Sequence, residues 1–166
     1  MKAAFKKGEN VIYPKHGAGI INKEYTEIIS DKKLKYYKIV FTNSAVSVSV
    51  PTDSAQELGL RYPLSRRNLK KALKNLFKQV NINKKTLISL DTVSREKLGS
   101  GKLEDTIHLV NLLKSLAKQK EEENKNFSYS YSDRLEIALE FIKSEVELVL
   151  GKKAAEKYNL EPKPKK

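Results

Sequence analysis

Basic side chains recur at three- and four-residue spacing in one segment of the sequence. They are Arg67, Lys71, Lys74 and Lys78, followed closely by Lys84 and Lys85. On a helix this spacing aligns side chains along one flank, which suits contacts with successive phosphates of a nucleic acid. A solvated helix face is the alternative interpretation. Binding is favoured because Asp91 and Glu96 are the only acids between residues 64 and 103.

The charge of the whole chain is concentrated in that segment. The 166 residues contain 33 Lys and Arg against 20 Asp and Glu, a formal net charge of +13. Residues 64–103 hold eleven basic and two acidic groups, and therefore +9 of that total. Such a concentration indicates a binding surface for a polyanion: nucleic acid first, with an acidic protein or an anionic membrane as alternatives.

The residue types that catalysis needs are scarce. The absence of Cys excludes disulfides, thiol nucleophiles and Cys-ligated zinc. His16 and His108 are the only histidines, and no carboxylate is placed to orient His16. The 17–19 segment Gly-Ala-Gly lacks the spacing of a nucleotide-binding loop and fits a tight strand entry. We therefore expect no enzyme activity, cofactor, metal or small-molecule substrate.

No apolar run reaches the length of a membrane span, and the first residues lack the apolar core of a signal peptide. We therefore expect a cytoplasmic protein with no membrane association.

The first 63 residues have the composition and alternation of β-strands. Strands are predicted at 11–13, 18–29, 36–41 and 46–50, separated by short polar turns. Residues 46–50 alternate strictly between Val and Ser, as in a half-buried strand, and Pro51 ends that strand. Short strands this closely spaced predict a small barrel or a strongly bent sheet.

After Pro63 the apolar residues recur at the three- and four-residue spacing of a helix. Ser65 is a candidate N-cap for a helix to residue 80, and further helices are predicted at 86–98, 103–123 and 130–150. The last helix would begin with a capping box at Ser130 and end at Gly151. A turn at 154–158 and a basic, disordered tail would follow. The prediction is an α+β chain with a β domain at 1–63, a domain of about four helices at 64–151, and a short terminal segment at 152–166.

Leu87 and Ile88 are apolar residues beside Lys84 and Lys85. Two such residues most often belong to a core. The alternative is a wedge that inserts between base steps in the minor groove, since apolar side chains beside basic ones serve that purpose.

Several segments together resemble a bacterial family of transcription regulators. Phe5 to Gly19, with its Tyr-Pro-Lys-His-Gly-Ala-Gly ending, resembles the opening of CarD/CdnL-like regulators. The segments 36–39, 48–51 and 58–61 are similar to later landmarks of that domain, and 96–101 resembles a landmark of the helical half. The match covers about residues 5–151. The same β module also occurs in transcription–repair coupling factors, but this chain has no helicase motifs.

The resemblance implies a Tudor-like or SH3-like β module that binds the β subunit of bacterial RNA polymerase. It also implies a helical domain that meets promoter DNA at the upstream edge of the bubble, through backbone and minor groove with little sequence specificity. Such a protein stabilises the open complex without catalysis, and we expect a nucleoid-associated monomer.

Residues for both contacts follow from the basic spacing described above and from the resemblance. The implied DNA-binding residues are Arg66, Arg67, Lys70, Lys71, Lys74, Lys84, Lys85, Leu87 and Arg95. The implied polymerase-binding residues are Glu27, Ile29, Val48, Ser49, Val50 and Pro51.

The chain departs from the family at both contacts. It contains no Trp, and the position of the family's wedge Trp falls at or near Leu87. Glu27 and Ser49 stand where better-known members have Arg. Either the polymerase surface has changed correspondingly, or main-chain pairing along a sheet edge dominates the contact.

Two other functions remain open on the sequence. One is a general accessory protein that binds RNA or DNA without contacting polymerase. The other is an adaptor whose helical half binds an acidic protein.

Overall fold

A computed structural model describes residues 4–161. The chain begins with four strands in one antiparallel sheet: β1 (Asn10–Tyr13), β2 (Gly17–Ile29), β3 (Lys32–Phe41) and β4 (Ser47–Pro51). Their order in the sheet is their order in the chain. Helices follow, so the α+β prediction is confirmed.

The β2–β3 hairpin is longer than its neighbours. β3 begins at Lys32, earlier than predicted, because Ser30 and Asp31 alone form the turn, with φ of 50° and 62°. Positive φ at both positions is typical of two-residue hairpin turns. β1 pairs only with the start of β2, and β4 only with residues 36–40 of β3. The hairpin tip therefore projects from the sheet as a two-stranded ribbon.

Alternate strand residues turn inward to a small core under the sheet. The buried residues are Phe5, Val11, Ile21, Tyr37, Ile39, Phe41, Val50, Ala55 and Leu60. Main-chain hydrogen bonds between Ile12 and Arg61, with N···O distances of 2.8 and 3.1 Å, cover the edge of β1. Within residues 4–161 no strand pairs with the outer edge of β4.

Five α-helices complete the described part of the chain. They are α1 (Arg66–Leu73), α2 (Lys84–Gly99), α3 (Leu103–Glu122), α4 (Tyr129–Leu150) and α5 (Lys152–Lys157), and a 3₁₀ turn (Thr52–Ser54) precedes them.

Two predicted helix ends are wrong. The first helix ends at Leu73 rather than residue 80. The fourth begins after Ser128, so Ser130 lies inside the helix and forms no capping box. Gly151, with φ of 93°, ends α4 as predicted. The predicted turn near 154–158 is the short helix α5, and the tail at 162–166 lies outside the described residues.

The helical half has its own core, centred on α3. Ten residues of α3 are buried, and α4 and α2 pack against it. Two sheet residues, Ile12 and Ala18, also belong to this cluster. The division between residues 63 and 64 remains our proposal for the domain boundary. The shared residues imply that the two halves pack closely.

The entry to β2 lies directly against α4. Gly17 has φ of 76°, and a Cβ there would fall 2.1 Å from Ser144 Oγ. The Ala18 amide donates to that same hydroxyl at 3.0 Å. The Gly-Ala-Gly segment is therefore a point of close packing, in agreement with the predicted tight strand entry.

A buried ion pair joins the two halves. The Arg61 guanidinium donates to both carboxylate oxygens of Glu145, at 2.8 and 2.7 Å. Arg61 Nε donates to the Gly101 carbonyl at 2.7 Å, and the Leu64 amide donates to Glu145 at 2.9 Å. Glu145 has no exposed side-chain surface. A buried carboxylate is tolerated only when its oxygens are satisfied in this way.

Replacing Arg61 by Met should leave the Glu145 carboxylate buried without its cation. We expect the free energy of unfolding to fall by about 3–5 kcal/mol, because an uncompensated buried charge is strongly destabilising. Urea denaturation measures the loss. The matched control is Arg95→Met, which breaks an exposed ion pair with Asp91 and should cost at most about 1 kcal/mol. Equal losses in the two variants would contradict the role assigned to Arg61.

Candidate functional site

The helix α1 presents basic residues to solvent. Ser65 caps it as predicted, its Oγ accepting from the Asn68 amide at 3.3 Å. Leu69, Ala72 and Leu73 are buried in the helical core, so the bases between them face outward. Together with the start of α2 they form what we call the basic face. Its members are Arg66, Arg67, Lys70, Lys71, Lys74, Lys84 and Lys85, all exposed.

The charges of the basic face are not neutralised within the described chain. Among residues 4–161 no ion pair involves any of its seven members. Seven exposed cations without acidic partners produce a strongly positive surface, to which a polyanion is attracted.

The predicted helical row does not continue to Lys78. The chain leaves the helix after Lys74, and Phe77 adopts a φ of 62°. Two contacts with α3 hold this segment in place: Lys114 Nζ lies 4.1 Å from the Phe77 ring centroid, and Ser115 Oγ accepts from the Val80 amide at 2.9 Å. These tertiary contacts replace the helical hydrogen bonds that the apolar spacing predicted.

Lys84 and Lys85 form the first turn of α2 instead of preceding it. Asn83 is the N-cap, its Oδ1 accepting from the Thr86 amide at 2.9 Å. Helix N-termini carry partial positive charge and usually attract acids, but this first turn has none. The dipole and two ammonium groups therefore add to one another, an arrangement that favours a bound anion.

Leu87 and Ile88 are not core residues. Leu87 is 38% exposed and Ile88 is 77% exposed, and neither belongs to a buried cluster. The more common interpretation of the two residues, as core, is therefore wrong. They form an apolar tip on the first turns of α2, next to Lys84 and Lys85.

Arg95 differs from the other implied DNA-binding residues. Its guanidinium is paired with Asp91, which also accepts from Arg134. These hydrogen bonds, the one from Arg95 first, hold the pKa of the Asp91 carboxyl below its usual value. Because Asp91 stays ionised, it offsets the charge of Arg95, and we leave Arg95 out of the basic face.

The implied polymerase-binding residues divide between two faces of the sheet. Val50 is 1% exposed and Val48 is half-buried, because both turn toward the β core. Because the Val50 side chain is buried, the predicted contact at this residue would be made by its main chain. Glu27, Ile29 and Ser49 lie on the opposite, outer face with Pro51.

The outer face also holds residues that sequence reasoning missed. Tyr25 and Tyr36 are paired across β2 and β3, with ring centroids 5.7 Å apart, and Tyr25 Oη donates to Ser49 Oγ at 2.8 Å. Leu34 is opposite Glu27 and exposed. The strand alternation that places Tyr37 inside could have placed Tyr36 and Leu34 outside.

His16 packs on the β domain, and His108 lies at the surface of α3. His16 stacks on Phe41, with ring centroids 4.8 Å apart, and burial, then the charge of Lys15, lowers its pKa. Burial, then Lys97, also lowers the pKa of His108. Within residues 4–161, no three His, Asp or Glu side chains form a metal-binding group, and no helix is long and apolar enough to cross a membrane.

Comparison with known proteins connects this fold to a family. Residues 5–62, the β domain just described, match the model of the CarD-like/TRCF RID domain. The β domain of this chain is thus similar to the CarD-like domain. Its CarD-like domain therefore carries the outer face and the open β4 edge.

One curated relative extends the similarity beyond the CarD-like domain. It is the Bacillus subtilis (strain 168) protein named "Putative transcription factor YdeB", 26% identical over 151 residues. The alignment covers 89% of this chain and 93% of the relative, so it includes the helical half. The domain match and this relative support a transcription-related role for the chain.

Proposed function

We propose that this protein regulates transcription as a monomer that bridges RNA polymerase and promoter DNA in the cytoplasm, at the nucleoid. The CarD-like domain binds the polymerase β subunit. The basic face contacts DNA at the upstream edge of the bubble, and the combined binding stabilises the open complex. The observation that carries this proposal is a basic face without acidic partners in the described chain, on a chain with a CarD-like domain.

The basic face suits the DNA backbone more than base sequence. Its side chains are long, flexible cations that pair with phosphates and give salt-sensitive, largely sequence-independent affinity. High affinity is not needed, because polymerase bound to the CarD-like domain holds the promoter close. Tethering of this kind raises the effective concentration of the DNA.

The apolar tip of Leu87 and Ile88 replaces the family's Trp. Apolar side chains insert between base steps of the minor groove and unstack them, and the lysines of the same helical turn hold adjacent phosphates. A wedge of this kind binds open DNA more tightly than closed DNA. That difference in affinity shifts the melting equilibrium toward the open complex.

The outer face and the β4 edge offer two ways to bind the β subunit. A strand of the partner can pair with the unoccupied edge of β4, which supplies main-chain hydrogen bonds without any arginine. Side-chain contacts then come from Tyr25, Leu34 and Ile29 on the outer face. Aromatic and aliphatic groups of this type replace the arginines that the family resemblance places at residues 27 and 49.

The alternative is a nucleic-acid-binding accessory protein without polymerase contact, for which the basic face suffices. A pull-down with the polymerase β subunit separates the two. Enrichment of the β subunit supports the proposal, and DNA binding without enrichment supports the alternative.

Replacing Arg67, Lys71 and Lys74 together by Ala should weaken duplex binding and its dependence on salt. Each lost phosphate contact lowers the slope of log K against log salt by about 0.9. Fluorescence anisotropy across a salt series measures the slope. The control is Lys152→Ala, Lys153→Ala and Lys157→Ala on α5, which removes the same charge from exposed positions elsewhere. An equal effect in both triple variants would mean that only net charge matters.

Replacing Leu87 and Ile88 together by Ala should shorten the lifetime of the open complex about three- to tenfold, a loss of about 1 kcal/mol. The melting temperature should change little, since both side chains are exposed. Leu90→Ala provides the contrast, because Leu90 is buried and its truncation costs about 2–5 kcal/mol. An unchanged open-complex lifetime in the double variant would refute the wedge.

Ile28 and Ile29 offer a matched pair for the polymerase contact. Ile29 lies on the outer face and Ile28 on the other side of the ribbon, and both are exposed, 47% and 70%. Ile29→Asp should reduce capture of the polymerase β subunit about tenfold, whereas Ile28→Asp should leave it unchanged. The reverse order of effects would place the contact on the opposite face of the ribbon.

A further inference from the structure

A groove lies between the end of α1, the segment that follows it and α3. It has a volume of about 410 Å³; six of the nine residues that line it are polar, although most of the lining surface is apolar. The polar residues are Asn75, Lys78, Gln79, Glu104, His108 and Asn111. A second groove of about 350 Å³ shares Val80 and His108 with it and reaches Lys85 and Thr86. The two together run from the end of α1 to the start of α2, beside the apolar tip.

The groove contains an acceptor without a donor. Asn111 is 6% exposed, and its Nδ2 donates to the Asn75 carbonyl at 2.7 Å. Because a carbonyl can only accept, this bond fixes the orientation of the amide. Asn111 Oδ1 is then left buried, and it is the single buried side-chain polar atom without a partner among residues 4–161. Buried polar atoms are nearly always paired, so this oxygen is a candidate acceptor for a donor from outside the chain.

The surroundings indicate what kind of molecule carries that donor. Lys78 lines one part of the groove and Lys85 the other, and both are exposed cations suited to phosphate. Glu104 adds a second acceptor at the wall. A ligand with N–H donors on a flat edge and phosphates on either side fits this arrangement, and this is the chemistry of a nucleotide.

We propose that the groove binds one unpaired nucleotide of a DNA strand, whose base donates a hydrogen bond to Asn111 Oδ1 while its phosphates lie near Lys78 and Lys85. This inference rests on the proposed function, which brings an opened strand to α1 and α2. Thr86 and Ser89 line the second groove, and they are the sequence neighbours of Leu87 and Ile88 in the apolar tip. A base freed by the wedge therefore has a polar site within reach.

Forked and blunt DNA of the same sequence test the site without polymerase. The wild-type protein should bind a duplex with unpaired arms about three- to tenfold more tightly than the blunt duplex, as one hydrogen bond permits. Asn111→Leu removes the acceptor at similar volume and should abolish that preference while leaving affinity for the blunt duplex unchanged. The control is Asn126→Leu, the same substitution at an exposed asparagine outside both grooves; it should keep the preference.

Nuclear magnetic resonance of the wild-type protein covers the case in which Asn111→Leu does not fold. The side-chain amide signals of Asn111 should shift with forked DNA and not with the blunt duplex. If adenosine 5′-monophosphate alone shifts the same amide signals and binds as tightly as forked DNA, the site binds a free nucleotide. The assignment to a DNA strand is then overturned.

Failure of this inference and failure of the proposed function give different results. The nucleotide site is overturned if forked and blunt DNA bind equally, or if Asn111→Leu keeps the preference for forked DNA. Neither result affects the proposed binding of DNA by the basic face. Absence of binding to either DNA at low salt overturns both.

Discussion

The carboxylate of Glu145 has no contact with water and depends on Arg61 for its stability. The cost of removing both charges from solvent is recovered only when the guanidinium and the carboxylate keep their bidentate geometry. Arg61 follows the β core, Glu145 lies in α4, and Gly101, which accepts from Arg61, begins the connection into α3. One ion pair therefore fixes the sheet, the loop after α2 and the longest helix relative to one another.

This constraint gives the protein two surfaces at a fixed separation. The outer face of the sheet combines Tyr25, Tyr36, Leu34 and Ile29 with charged neighbours such as Glu27 and Lys38, whereas the basic face has seven cations. The close approach of Gly17 to Ser144 allows little sliding between the halves, because a shift of about an ångström would break the hydrogen bond from Ala18. Two contacts on a rigid body are made together or not at all, which suits a protein whose partners are already held in one assembly.

The sequence predicted the order and type of the elements but not the features that position them. Strand alternation and helical spacing reflect local burial, so β2, α2 and α3 were correctly located. The end of α1 was missed because Phe77 and Val80 are held by Lys114 and Ser115, which are far away in sequence. The composition of the basic face was missed for the same reason, because Lys84 and Lys85 belong to the first turn of α2 and not to α1.

One member of the Arg61–Glu145 ion pair could be suspected from the sequence. Glu145 follows Ala138 by seven residues and Ile142 by three, so it lies on the apolar stripe of α4, where an acid needs a buried partner. The identity of that partner could not be predicted, since Arg61 is 84 residues away. Neither could the unpaired oxygen of Asn111, because it depends on how the chain between α1 and α2 is laid over α3.

The first turn of α2 carries two lysines on the positive pole of its own dipole, and this repulsion is a local weakness of the free protein. An anion placed there removes the repulsion and satisfies amide groups that otherwise face water. Binding and local folding are then thermodynamically linked, so that phosphate tightens the helix end and a tightened end binds phosphate better. Under the proposed function, the start of α2 would therefore be most ordered when a DNA phosphate is bound there.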